Sequence, residues 1–314
     1  MGTAMALVLA SNGYQVKCWD FNEKVVEGVN EHHENKRYLP GVKLPVSITA
    51  STDINEVACF SNVLIFSVPS QHLRSTLKMI PKEDLEYEII VNCAKGIDLE
   101  TGQFMSEIIE EELGPQSHGI IAELSGPSIA NELSKKHFTA VIIASKNEQV
   151  LGFLQKILNN DYFKVRPSTD VIGAELGGVM KNIYSMAIGI SDTLWNSMNT
   201  RALLLTEGLA EMAKMGHELG ATKRAFYGLS GIGDLIATCL SHESRNYRFG
   251  CFLAKGRTVE EAQCDVSQVV EGYYAVKAIS KLAQKHNVKL PLCENMYNIL
   301  YRGKDPATTL LKGF

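Results

Sequence analysis

The 314-residue sequence predicts a doubly wound α/β domain over residues 1–167, followed by an all-helical domain over residues 168–314. Three observations carry this expectation. Short apolar, strand-like runs alternate with helical segments through the first half. Long helical periodicities replace them from about Ser168. The chain is also longer than one hydrophobic core ordinarily organises, so two packed domains are expected.

The elements follow in order. Residues 3–12 read as a helix closed by Gly13, a residue suited to terminating helices. Residues 15–19 alternate and stop at Asp20, as a strand does. Residues 63–66 and 89–91 are short continuous apolar runs, the pattern of parallel strands buried on both faces, and 118–124 and 139–144 repeat it. Helices are then expected over 169–191, 200–219, 233–240, 269–286 and 293–301, with Gly220, Gly256 and Gly303 at helix ends. There is no internal repeat and no low-complexity tract.

The composition is that of an ordinary globular protein, with 45% apolar and 21% charged residues. A net charge of −4 gives no electrostatic reason to bind nucleic acid or an anionic membrane surface, so an anionic substrate would need a local basic pocket. The seven cysteines are scattered, with no C-x-x-C pair, which suits a reducing compartment such as the cytoplasm. The apolar stretch at 4–10 lacks a preceding positive charge and is short for a signal peptide. Met1-Gly2 resembles a myristoylation start, but Ala6 stands where Ser or Thr is needed. No apolar run reaches the roughly 18 residues that a membrane span requires.

Gly2, in the opening Met1-Gly2-Thr3-Ala4, and Asp20 have the spacing of a dinucleotide-binding βαβ unit. There the last of three glycines lets helix and strand pack closely, and an acid about 20 residues on accepts hydrogen bonds from the adenosine ribose. The first two glycines and the strand before them are absent from the sequence, so an ordinary helix followed by an ordinary strand remains an alternative. That strand lies in the middle of a doubly wound sheet. Its absence predicts two unpaired edges, and we expect the biological chain to start upstream of Met1.

Polar residues in unexpected company mark the chemistry. Gly173, Gly177 and Gly178 share one helix, at about 1 kcal/mol each relative to alanine, which suggests that something approaches its backbone closely. Lys181 lies just beyond, in a segment otherwise nearly free of charge. Among apolar residues its pKa falls, which equips it as a general base, although a lysine there could also snorkel to the surface. Ser244-Arg245-Asn246 at a helix start suits a phosphate, or else is an N-cap followed by a solvated arginine. Small residues from Ser125 to Ala130, and Lys95 directly after a strand, fall at carboxyl ends of strands, where such sheets bind ligands; each could instead be turn chemistry.

In six ordered motifs the chain resembles the NAD(P)-dependent glycerol-3-phosphate dehydrogenases: Ala94-Lys95-Gly96, the 125–130 segment, Gly177-Gly178-Val179-Met180-Lys181-Asn182, the 231–234 turn, the 244–249 segment and Val269-Val270-Glu271-Gly272. The resemblance implies a Rossmann-type domain binding NAD or NADP, a helical substrate domain, no metal and a homodimer. By position, it makes Lys181 the proton acceptor and places Lys95, Asp234 and Thr238 in the polar network at the reacting carbon. Gly126, Ser128, Asn182, Ser244, Arg245 and Asn246 match substrate positions, together with Lys95, Lys181 and Asp234; Arg245 and Asn182 hold the phosphate. Gly2, Asp20, Phe21, Lys95, Ala130, Arg245, Val269 and Glu271 match cofactor positions. The family's G-x-G-x-[FWY]-G turn survives only as Gly2, which puts the pyrophosphate contacts in question.

The implied reaction interconverts sn-glycerol 3-phosphate and dihydroxyacetone phosphate by hydride transfer, supplying glycerol 3-phosphate for glycerophospholipid synthesis. Asp20 favours NAD by repelling a 2′-phosphate, Lys24 softens that preference, and Glu23 restores it. Lys95 would depress the pKa of Lys181 while Asp234 would raise it, and the sequence leaves the balance open. Two other readings remain. One is a β-hydroxyacid or 6-phosphogluconate-type dehydrogenase, against which the Ser244-Arg245-Asn246 cluster argues. The other is an inactive nucleotide-binding relative, against which the retention of Lys95, Lys181, Asp234 and Arg245 argues.

Overall fold

The computed structural model describes residues 1–80, 89–117 and 119–314. Helix Gly2–Ser11 opens the chain and is followed by β1 (Val16–Trp19) and helix Glu23–His32. Gly13 adopts a positive φ of 87° just past the first helix, the conformation that made glycine a sound choice for its end. The later strands are β2 (Ile48–Ser51), β3 (Val63–Phe66), β4 (Ile89–Asn92), β5 (Ile121–Ser125), β6 (Thr139–Ala144) and β7 (Phe163–Ser168). The sequence pattern started the fifth strand at His118, which lies outside the described residues.

These strands form two separate sheets. β1 pairs in parallel with β2, and β3-β4-β5-β6-β7 form a five-stranded sheet in that order. The two sheets share no strand, so β1 and β3 each stand at a sheet edge among the described residues. Within the larger sheet every pairing is parallel except β5 with β6. A parallel return usually carries a full helix across the sheet. The link between β5 and β6 holds only the five-residue helix Ala130–Ser134.

The sequence reading did not assign bounds to β2, β7 or, among the longer helices, Glu23–His32, Ser70–Lys78, Met105–Leu113, Glu148–Leu158, Arg245–Ala254 and Val259–Val266. β7 contains Pro167, which cannot donate to a ladder but is tolerated because this strand pairs only with β6 and forms the sheet edge.

After β7 the described chain is helical. The central helix Val171–Leu194 starts at Asp170, whose Oδ1 accepts from the Gly173 N–H at 2.8 Å. Residues 173–191 of this helix are all buried, as expected of a helix surrounded by others. Helices Met198–Glu218, Arg245–Ala254 and Glu271–Lys285 pack against it. The glycines let neighbours approach. A methyl group on Gly177 would collide with the Ser230 carbonyl in the π-turn Leu229–Gly233, and one on Gly189 would collide with the Tyr247 carbonyl. No described helix is long and apolar enough to cross a membrane.

Candidate active site

The central helix delivers Lys181 and Asn182 into a buried interior, and the π-turn after Gly228 delivers Asp234 opposite them. Close approach of these two elements depends on Gly177, which explains why the helix tolerates glycine there. Asp234 is 1% exposed and accepts from two ammonium groups. Lys181 Nζ donates to Oδ1 in a short contact, and Lys95 Nζ, reaching from the end of β4, donates to Oδ2 at 2.7 Å. Thr238, one turn along from Asp234, donates to the same Oδ1 at 3.3 Å. Lys95 also reaches the Gly126 carbonyl at 3.3 Å, and Ser128 Oγ donates to that carbonyl at 3.1 Å. One connected array therefore unites Lys181, Asp234, Lys95, Thr238, Gly126 and Ser128.

Its electrostatics follow from burial. Desolvation is the largest influence on Lys181 and lowers its pKa to about 8. Asp234 pulls that pKa up and Lys95 pushes it down, but neither outweighs the loss of water. Burial alone would push Asp234 up, yet the two ammonium groups hold its carboxyl below the usual carboxylate range. The array thus contains a fixed carboxylate beside an amine that can lose its proton near neutrality.

A second group adjoins it. Asn182 donates to the Gly178 carbonyl at 3.2 Å and accepts from Asn246 Nδ2 at 2.8 Å, and Asn246 Oδ1 accepts from the Gly272 N–H at 2.9 Å. Ser244 is the N-cap of helix Arg245–Ala254, accepting from the Tyr247 N–H at 3.3 Å, so the capping alternative holds for this residue. Arg245 follows it, exposed, and forms no ion pair among the described residues. Its guanidinium lies near enough to favour the ionised form of Glu271. Glu271 is itself engaged, accepting from Ser70 N at 3.0 Å and Ser70 Oγ at 2.5 Å, which ties the start of helix Ser70–Lys78 to the start of helix Glu271–Lys285. Val269 is half-buried in the loop just before, and Ala130 opens its short helix after β5.

The remaining residues lie in the smaller sheet and the first helix. Asp20 ends β1, and its Oδ1 accepts from the Asn22 N–H at 2.9 Å; burial raises its pKa, and the Asn22 contact and the charge of Arg37 offset this. Phe21 is 69% exposed. Neither Asp20 nor Phe21 is hydrogen-bonded to the lysine array. Gly2 faces Ser67 at the end of β3 and begins a helix with no side-chain cap, so the first N–H groups of that helix are unclaimed by a cap. An uncapped helix start and a strand-end carboxylate with one oxygen unbonded among the described residues fit the pyrophosphate and ribose of a dinucleotide.

The chain as a whole is similar to known proteins. Residues 1–151 match the family model for the N-terminus of NAD-dependent glycerol-3-phosphate dehydrogenase, and residues 170–311 match the model for its C-terminus. The chain belongs to the NAD-dependent glycerol-3-phosphate dehydrogenase family. The glycerol-3-phosphate dehydrogenase [NAD(P)+] of Staphylococcus carnosus is 40% identical over 314 residues, covering 99% of this chain and 95% of the relative. A crystal structure of the glycerol-3-phosphate dehydrogenase from Coxiella burnetii superposes with a TM-score of 0.91 at 34% identity, covering 98% of this chain and 94% of the other. The Plasmodium falciparum glycerol-3-phosphate dehydrogenase gives a TM-score of 0.88 at 27% identity over 99% of this chain and 91% of the other.

Sequence reasoning did not single out one residue that the structure brings into this polar cluster. Ser185, fully buried one turn beyond Lys181, donates to the Thr238 carbonyl at 3.2 Å and shares a 3.0 Å contact with Ser244 Oγ. Its signal was a serine on the Lys181 face of the helix at i+4.

Proposed function

We propose that the chain catalyses the NAD(P)-dependent interconversion of sn-glycerol 3-phosphate and dihydroxyacetone phosphate, with Lys181 as general acid and base. The observation that carries this reading is the buried Lys181–Asp234–Lys95 array, in which Lys181 has a pKa of about 8. A bound nicotinamide supplies the carbon that takes the hydride from C2 of the substrate or returns it. In the oxidation direction neutral Lys181 takes the proton of the C2 hydroxyl, and Asp234 stabilises the ammonium that forms. In reduction the same ammonium donates to the developing alkoxide. Lys95 neutralises Asp234 from its other side and, with Thr238, keeps the carboxylate from rotating.

Arg245, which carries an unpaired charge at a helix start, supports phosphate binding together with Asn182. Asn246 orients Asn182 by donating to its Oδ1. Holding the phosphate orients the carbinol, so binding energy from a non-reacting group lowers the barrier at C2. Gly126, Ser128 and Ser244 complete the substrate side. Gly2, Asp20, Phe21, Lys95, Ala130, Arg245, Val269 and Glu271 make up the proposed cofactor side, and Asp20 favours NAD over NADP. The same reading divides the chain into a dinucleotide domain at 1–167 and a substrate domain at 168–314. It makes the protein a cytoplasmic homodimer that supplies glycerol 3-phosphate for glycerophospholipid synthesis; the seven free cysteines support the reducing compartment.

The test is the loss of reduced-nicotinamide absorbance on adding dihydroxyacetone phosphate, first with NADH and then with NADPH. Oxidation of either cofactor supports the reading, and the ratio of the two kcat/KM values ranks the cofactors. A chain that folds and binds NADH but oxidises neither nucleotide would sink it.

A further inference from the structure

Beside the lysine array lies a group of buried polar residues to which the reaction as described assigns no role. Glu123 on β5 and Glu175 on the central helix are 3% and 8% exposed, and both line a small cavity together with Lys95 and Ser125. The cavity offers about 10 Å³ to the centre of a water molecule, close to the smallest space that admits one.

The two carboxyls are not equivalent. Glu175 accepts from Ser106 N at 3.0 Å and Ser106 Oγ at 2.7 Å. Glu123 accepts only from Asn92 Nδ2, at 2.7 Å on Oε2. Its Oε1 is fully buried without a partner, and so is Ser125 Oγ. A buried polar atom left unpaired costs about 1–3 kcal/mol, so two at one small cavity point to a guest that satisfies both.

The charge pattern identifies which carboxyl carries a proton. Burial raises both pKa values; Glu175 reaches about 7, and its bonds from Ser106 resist the rise. Glu123 lies well above its usual value, because burial and the neighbouring Glu175 outweigh the single bond from Asn92. The other titratable groups here are Cys93 and Lys95, both just beyond β4, with Glu107 facing Glu175 from helix Met105–Leu113. Glu123 is therefore the carboxyl of the two that holds its proton more strongly, and when protonated it has an O–H to donate. Lys95 has a third N–H beyond those given to Asp234 and Gly126, and its methylenes rest 3.4 Å from the position a Gly178 Cβ would occupy, as does Ser125 Oγ.

We propose that Glu123 is a positioning residue of the reaction: with Ser125 it binds one ordered water in this cavity, and the water fixes the Lys95 ammonium against Asp234. The water would accept from Glu123 and Lys95 and bond to Ser125 Oγ, three bonds being the usual number for a buried water. This inference rests on the dehydrogenase reading above. It adds a control on Lys181, because Lys95 in place both repels the Lys181 proton and competes for Asp234.

The experiment compares Glu123→Leu, Glu123→Gln and Ser125→Ala with the wild-type enzyme in glycerol 3-phosphate oxidation across pH. For Glu123→Leu we expect kcat to fall about 10-fold, with KM for glycerol 3-phosphate within about 2-fold. The acid limb of its profile should move to higher pH, since a displaced Lys95 lets Lys181 hold its proton more tightly. Glu123→Gln, a neutral isostere that can still donate, should restore most of kcat and the wild-type limb. Ser125→Ala should shift the limb in the same direction as Glu123→Leu, and it serves if that variant fails to fold. An unmoved limb in Ser125→Ala, or equal impairment of the Leu and Gln variants, would overturn the proposal. A high-resolution crystal structure of the wild type gives a readout independent of turnover. A water within hydrogen-bond reach of Glu123, Ser125 and Lys95 supports the inference, and side chains collapsed onto one another refute it. Wild-type inactivity alongside that water would indict the assigned reaction and leave the water site standing.

Discussion

The sheet half and the helical half of this chain solve the same problem, burying polar groups, in opposite ways. The strands lie in two sheets with a break between β1 and β3, and Asp20, Phe21 and Gly2 stand at the ends of elements on this interrupted scaffold. The helical half wraps one 24-residue helix whose buried stretch carries Glu175, Lys181, Asn182 and Ser185. Asp20 and Phe21, just beyond β1 of the smaller sheet, are half-buried and exposed respectively and make few contacts, whereas Lys181 and Asn182 on the central helix are buried and bonded to partners from other elements. The pKa shift needed for proton transfer at Lys181 requires dryness, which the packing around the central helix supplies.

The sharpest way to break this contrast is to remove the amine. Lys181→Ala should lower kcat by about 10²–10⁴-fold while leaving the circular dichroism spectrum and Tm near those of the wild type; near-normal turnover would refute the assignment. In the unmutated enzyme, glycerol 3-phosphate oxidation should rise with pH through about 8, because only neutral Lys181 accepts the proton. Reduction should fall over the same range. A flat oxidation profile across this interval would show that another group sets the limb.

Next in size is the packing that brings Asp234 to the lysines. Gly177→Val should drive the Ser230 carbonyl and its π-turn away from the central helix, at roughly 1–3 kcal/mol in stability, and displace Asp234. Chemical denaturation and kcat should both report the change; a loss of Tm with unchanged kcat would separate the turn from the chemistry.

Glu211→Leu probes the helical half away from the site. Glu211 accepts from the Leu292 and Cys293 N–H groups and from the Tyr184 hydroxyl, so removing it leaves three buried donors unpaired. We expect a loss of about 3 kcal/mol by urea unfolding, with kcat preserved below the lowered Tm. Burial raises the Glu211 pKa to about 7, so the contribution of this group to stability is full below its unfolded value and is lost as pH rises through about 7. Glu211→Gln should flatten that part of the stability profile.

The smallest effect belongs to the sheet half. Asp20→Asn should raise kcat/KM with NADPH relative to NADH several-fold by removing the charge that repels a 2′-phosphate. Arg37, near enough to act on Asp20, is then free to meet that phosphate. An unchanged cofactor ratio would remove Asp20 from the cofactor site.

Much of this was legible in the sequence because periodicity and glycine placement are local signals. The runs at 63–66 and 139–144 became β3 and β6 with the same bounds, and Gly220, Gly256 and Gly303 all adopt positive φ. Lys181 stood out because a charge in an apolar helix has few structural explanations. β2 and β7 were not legible: β2 is short and half polar, and β7 alternates polar residues that only its edge position permits. The antiparallel turn from β5 to β6 likewise depends on where the chain must return, which no local pattern records.

The sequence by itself determined the two kinds of architecture and singled out Lys95, Lys181, Asp234 and Arg245 as candidate site residues. Those depend on side-chain chemistry and on spacing along the chain. Tertiary structure decided that Asp234 meets both Lys181 and Lys95, that burial outweighs both in setting the Lys181 pKa, and that Glu123 faces Glu175 across 52 positions of chain. Desolvation and Coulomb forces act through space, and their balance is set only once distant residues share a dry interior.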